Sequence, residues 1–236
     1  SAAYMVIGSF SEHLKMEYAK HYSIPPEKIK VMPNWIDIDS VQRGIQNVNK
    51  EQVKSDFAIA QNTKVLLFVH RLSQRKGAHY IPEIINRLRD ENVVLLVVGD
   101  GPELESVKLK IENLKLDHKV QLLGAVPQSD IVHYFAASDI FIMPSEEEGF
   151  PHVLLEAMTS GTPFVSFDVG GVREITPPET HRFLHIVGDV NGFVQSIRLI
   201  LSGSIDHTHL RAVEQNWVAR YDNNAVRKQF YELFEE

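Results

Sequence analysis

The chain has 236 residues, 44% of them hydrophobic and 23% charged, with a formal charge of −7 and no cysteine. That is enough for one large domain or one and a half ordinary ones, in a soluble globular protein and not a disordered one. The missing cysteines exclude disulfides, thiol catalysis and thiolate metal sites, and the acidic balance argues against nucleic acid, which needs a basic face.

A small anion such as a diphosphate needs only a few basic residues. No apolar run reaches the ~18 residues of a membrane helix, and no signal-peptide pattern opens the chain. The expected setting is cytoplasmic. In chain order, residues 1–36 read as strand, helix, strand: YMVIGSF, then the capped SEHLKMEYAKHY, then KIKVMP. Three elements cannot bury their own faces, so this segment is expected to belong to a sheet lying mostly outside the chain. PNWIDIDS breaks the pattern, and residues 37–63, polar with weak helical character, read as a linker.

From residue 64 to 207 the grammar changes. KVLLFVH (64–70), VVLLVVG (93–99), KVQLL (119–123), DIFIMP (139–144) and PFVSF (163–167) are continuously apolar runs, as expected of parallel strands buried on both faces. Between them YIPEIINRLRDE, ELESVKLKIENL, DIVHYFAAS and HVLLEAMTS read as helices. This alternation predicts an open, doubly wound parallel α/β sheet. Residues 208–236 carry Trp217, Tyr221, Phe230, Tyr231 and Phe234 on helical spacing, read as packing aromatics of closing helices.

In such a sheet ligands bind beyond the carboxyl ends of the strands. RLSQRKG places Arg71 at a strand end and Lys76 before Gly77, a pair that suits a diphosphate but equally describes two solvated charges. Gly99 and Gly101 of GDGPEL permit close backbone approach, as any tight turn also requires. In SEEEGFPHVLLEAM (145–158), Gly149 allows a sharp turn and Pro151 suits a first helical turn. Glu148 then sits at the helix mouth, and Glu156 lies ~7–8 Å further along the axis. Glu156 has apolar neighbours, and a partly buried carboxylate needs a hydrogen-bonding partner. Vicinal ribose hydroxyls would supply one; an ordinary helix glutamate is the alternative. Glu146 and Glu147 read as solvated loop charge. DVGGVREI adds two glycines where backbone can come close to a ligand.

HRLSQRKG, GDGPEL, VQLLGAV, SEEEGFPHVLLEAMTSGTPFVS and GGVREI, in that order and spacing, resemble the retaining glycosyltransferases of the GT-B fold, family 4. The resemblance covers nearly the whole chain: PEKIKVMPNWID looks like that family's domain junction, and the tail like the helix that crosses back to the N-terminal domain. It implies a nucleotide-sugar donor, such as a UDP- or GDP-sugar, and a glycan, lipid or protein-linked acceptor bound largely by the N-terminal domain. Arg71 and Lys76 would neutralise the diphosphate and stabilise it as it leaves, Glu148 would contact the sugar, and Glu156 would hold the ribose. Backbone amides around Gly149, Phe150 and Pro151 would face the sugar or distal phosphate. Backbone of Gly124, Ala125, Val126 and Pro127 would read the base. The family implies no metal; Asp37 and Asp39 form an Asp-x-Asp, but after the junction, where it reads as a linker turn. Peripheral membrane contact, at the inner face, would fall to the N-terminal domain.

Two stretches depart from the family pattern: His152 in the glutamate loop, so sugar preference does not transfer there, and PPETHRFLHIVGD before the last strand, so the distal edge of the site does not transfer either. The chain is expected to be a fragment or processed product that binds donor but hardly catalyses. An idle binding or scaffold subunit and a nucleotide-sugar epimerase are the alternatives. A dehydrogenase is disfavoured, since no GxGxxG follows the first strand.

Overall fold

The structure is a computed structural model that describes residues 7–232. Residues 4–6 of the first strand reading, and Phe234, lie outside them. Strand β1 (Ile7–Ser9) pairs in parallel with β2 (Ile29–Val31), joined by α1 (Glu12–Tyr22). Ser11 caps α1, its hydroxyl accepting from Leu14 N at 3.1 Å. The stretch read as a linker holds two capped helices, α2 (Ile38–Gln46) and α3 (Lys50–Asp56). Asp37 caps α2 by accepting from Ser40 N, so the Asp-x-Asp is a helix start.

The main sheet contains β3 (Lys64–Val69), β4 (Val93–Val98), β5 (Val120–Gly124), β6 (Ile140–Met143), β7 (Phe164–Phe167) and β8 (Leu184–His185). Its order is β5-β4-β3-β6-β7-β8, parallel throughout. The predicted α/β class is the one found. The segment PPETHRFLHIVGD, expected to precede the last strand, instead contains it: β8 is two residues long and follows a 3-10 stretch over Pro178–Phe183, and a helix comes next.

The remaining helices are α4 (Ile81–Arg87), α5 (Leu104–Asn113), α6 (Gln128–Ala137), α7 (His152–Ser160), α8 (Val172–Ile175), α9 (Val190–Leu201), α10 (His207–Val218) and α11 (Asn223–Glu232). Strand alternation divides them. Leu66, Phe68, Leu95 and Ile142 pack with residues of α4, α5 and α9 on one face. Leu67, Leu96, Phe141 and Met143 pack with residues of α6 and α7 on the other. Leu66, Leu67 and Phe68 are fully buried, and each such side chain contributes about 1.5–3 kcal/mol of burial.

The chain runs outward from β3 through β4 to β5, then returns to place β6 on the other side of β3. The strand order therefore reverses between β3 and β6, the point beside which ligands of open α/β sheets bind. At the far side, Ile36 N donates to Tyr221 O and Asn223 N to Ile36 O, tying the tail to the start of α2. Trp217 Nε1 donates to Ile175 O, with the Arg220 guanidinium over its ring.

Candidate functional site

The loops after β3 and β6 interlock. Gly77 has φ +69°, and a Cβ there would stand 1.7 Å from Pro144 O, so only glycine lets the two loops meet. Arg75 O accepts from the amides of Glu146 and Glu147. Arg75 Nε pairs with Glu147 at 2.7 Å, and Tyr80 Oη donates to Glu146 at 2.9 Å, with His79 nearby. Glu146, read as solvated charge, is thus an anchored loop residue; Glu147 keeps to the surface.

Glu148 is the most enclosed member of the run, its side chain 5% exposed. Lys76 Nζ lies 2.7 Å and His70 Nε2 3.0 Å from the same oxygen, Oε1. The His70 nitrogen is buried and makes no well-directed hydrogen bond. Burial by itself would raise the Glu148 carboxyl; His70 and Lys76 together outweigh it and hold the group below its ordinary value. The acid is therefore ionised at neutral pH.

Glu156, on the second turn of α7, behaves in the opposite way. Gln128 Nε2 donates to its Oε1 at 2.6 Å. Burial pushes its pKa up to about 7, and the Gln128 bond offsets only part of that. Two carboxylates on one cleft are thus driven apart in protonation, one kept charged by its neighbours His70 and Lys76 and the other poised near neutrality.

Arg71, Lys76, Glu148 and Glu156 line one cleft of about 470 Å³. Phe150, Pro151, Ala125 and Val126 line it too. Arg71 is exposed and, among the described residues, has no hydrogen-bond or ion-pair partner. Of the other expected residues, Gly124 turns the chain with φ +70° and bridges to Gly99, and Pro127 precedes α6. Gly149 faces a neighbouring hollow shared with His13 and Leu14 of α1. Gly170 and Gly171 serve packing: a Cβ on Gly170 would stand 1.5 Å from Glu148 O, and one on Gly171 2.5 Å from Gly149 O. The β7 loop is pressed against the acidic loop's own backbone. Two cleft residues escaped the sequence reading, His70 and Gln128. The first signalled itself as the polar end of an otherwise apolar strand, the second as the residue opening a helix beside the base loop. Among the described residues, no group of three or more His, Cys, Asp or Glu side chains is placed to hold a metal ion.

This architecture is that of the GT-B glycosyltransferases. A glycosyltransferase from Rickettsia africae superposes with a TM-score of 0.86 at 22% identity, over 97% of this chain and 62% of that one. Anabaena Alr3699/HepE in complex with UDP and glucose gives 0.85 at 22% identity, over 98% and 63%. Residues 49–217 match the family described as Glycosyl transferases group 1, and the chain belongs to that family. N-acetyl-alpha-D-glucosaminyl L-malate synthase of Bacillus anthracis is 31% identical over 183 residues, 76% of this chain and 46% of the relative. The UDP-Gal:alpha-D-GlcNAc-diphosphoundecaprenol alpha-1,3-galactosyltransferase of Escherichia coli is 29% identical over 75% of this chain and 46% of its own length. The chain spans about half the length of these curated relatives.

Proposed function

We propose that this chain supplies the donor-binding half of a retaining family 4 glycosyltransferase, which moves a sugar from a nucleotide-sugar to a glycan, lipid or protein-linked acceptor. The observation that carries the reading is the convergence of Arg71, Lys76, Glu148 and Glu156 on one cleft at the strand-order reversal. In this reading residues 1–36 and the tail belong with an acceptor domain such as the longer relatives have room for.

Each group has a task its surroundings suit. The unpaired Arg71 guanidinium offers a planar fork to the diphosphate, and the Lys76 ammonium adds a second, mobile charge. As the bond from sugar to phosphate breaks, negative charge gathers on the leaving diphosphate. These two cations then act more strongly on the transition state than on the bound donor, and this difference is what catalyses. Their charge meets that of the diphosphate without a metal.

Glu148, ionised and shielded from water, accepts hydroxyl protons of the donor sugar and orients it. It is pinned by His70 and Lys76, which fits a positioning carboxylate better than a mobile nucleophile; retention then proceeds on the front face. Glu156 accepts both hydroxyls of the ribose, and the base lies along Ala125 and Val126. The UDP in the Anabaena neighbour favours a uridine nucleotide.

Calorimetry of the chain against UDP, GDP and ADP tests the assignment. One nucleotide should bind best, and Glu156→Ala should weaken it about tenfold, the worth of a charge-assisted hydrogen bond. Equal affinity in wild type and variant would sink it.

A further inference from the structure

A second recess, of about 410 Å³, opens at the amino ends of β3, β6 and β7, at the opposite end of the strands from the donor cleft. Its wall begins with Asp139, directly before β6, which accepts from Val65 N at 2.8 Å. Lys50 Nζ and Lys64 Nζ both approach the same oxygen, Oδ1, at 3.1 and 3.4 Å. Burial works to raise the Asp139 carboxyl, yet the Val65 amide and the two lysines outweigh it, so the group stays ionised. Phe141 N donates to Pro163 O, which sets the Gly161–Pro163 turn beside this aspartate. Arg211 then reaches over the turn, Nε donating to Gly161 O at 3.2 Å. Its guanidinium also interacts electrostatically with Glu214, one turn further along α10. Lys54, buried behind the cluster, gives its ammonium to the carbonyls of Gln61 and Thr63.

The recess thus gathers Lys50, Lys64 and Arg211 against one ionised carboxylate, in a chain whose net charge is −7. Glu214 on α10 does not redress the balance. It is 1% exposed, neither carboxyl oxygen has a hydrogen-bond partner, and burial pushes its pKa well above the ordinary carboxylate value against the pull of Arg211. Ser160 Oγ is also buried and unpartnered. Both residues line the recess, leaving buried polar groups without hydrogen-bond partners beside three cationic side chains. A ligand that answers both features carries about two negative charges at one end and hydroxyls at the other.

We infer that this recess is a second small-molecule site, distinct from the donor cleft, that binds a soluble phosphate monoester of a hydroxylated compound. The phosphate meets Lys50, Lys64 and the Arg211 guanidinium, and the hydroxyls turn toward Glu214 and Ser160. The volume suits a ligand the size of a sugar phosphate. Ser160 ends α7, the helix whose second turn carries Glu156, so an occupied recess bears on the helix that grips the ribose.

Amide NMR tests the site on a chain carrying Arg71→Ala and Lys76→Ala, which removes phosphate binding at the donor cleft. Titrating glycerol 3-phosphate should produce saturable shifts at Gly161, Thr162 and Gly203, with inorganic phosphate binding more weakly at the same amides. Adding Arg211→Ala or Lys64→Ala, both at exposed positions, should each weaken binding about tenfold. Shifts confined to the donor cleft, no saturation, or affinity unchanged by both substitutions would overturn the site. Flotation of the chain with phosphatidylcholine vesicles doped with phosphatidate would overturn the soluble assignment. Failure of this site leaves the donor reading intact, since the experiment is run without the donor-cleft cations.

Discussion

A carboxyl group with a pKa near 7 beside one amide donor makes Glu156 the residue where stability and binding pull against each other. Its ordinary value is 4.5. Between that and about 7 the unfolded chain ionises it while the folded chain holds it protonated. The folded state binds the extra proton, so its contribution to stability is full below the lower value and is lost as pH rises through the upper one. Glu156→Gln can keep the Gln128 bond and removes the titration. The variant should match wild type in denaturant unfolding at pH 4.5 and exceed it at pH 8 by on the order of 2 kcal/mol. An equal gain at both values would contradict the assignment of the proton. Ribose hydroxyls need the ionised acid as acceptor, so nucleoside affinity should fall by up to about tenfold per pH unit below 7 in wild type. It should stay flat in Glu156→Gln. Arg71→Ala should leave nucleoside binding unchanged and weaken nucleoside diphosphates; a uniform loss in both would contradict the diphosphate role.

Among the elements, the acidic loop and the β3 loop form one unit. Glu146, Glu147 and Glu148 each find a partner between Arg75 and Tyr80, and Gly170 presses on the loop from β7. An alanine at Gly170, where φ is +53°, meets the Glu148 carbonyl, a backbone atom with little room to yield. Gly170→Ala should cost about 2–4 kcal/mol and weaken nucleotide-sugar binding with it. Gly203 is the control: its φ is +73°, but nothing lies within 4 Å of its Cβ position. Gly203→Ala should cost only about 1 kcal/mol. Comparable losses would show that the acidic loop does not depend on that contact.

The same interlock explains what could be read from the residues alone. Strands β3 to β7 announce themselves as apolar runs because both faces of the sheet are covered. Glu148 and Glu156 stood out through the glycine and proline between them. The pairings of Glu148 with His70 and of Glu156 with Gln128 join residues far apart in the chain, and no periodicity encodes such contacts. Glu146 passed for solvent charge because its partners, Tyr80 and His79, lie on another loop, more than 60 residues away in the chain. Strand β8 is too short to show a period, and α2 and α3 read as polar because neither buries an apolar residue fully.

At the scale of the whole molecule, six parallel strands hold a crevice whose two walls are the β3 and β6 loops. Residues 7–31 stand apart as a two-stranded parallel pair. It is tied to α8 through the Glu174 carboxylate, which accepts from Glu12 N and His13 N at the start of α1. Among the described residues, no helix is long and apolar enough to cross a membrane. The crevice should bind a nucleotide-sugar without help from any other domain. The most direct measurement is a crystal structure of the chain soaked with UDP or the nucleotide preferred in calorimetry. The diphosphate should lie against Arg71 and Lys76, with the ribose hydroxyls within hydrogen-bond distance of Glu156. A nucleotide bound elsewhere, or bound with Glu156 still paired only to Gln128, would contradict the donor assignment.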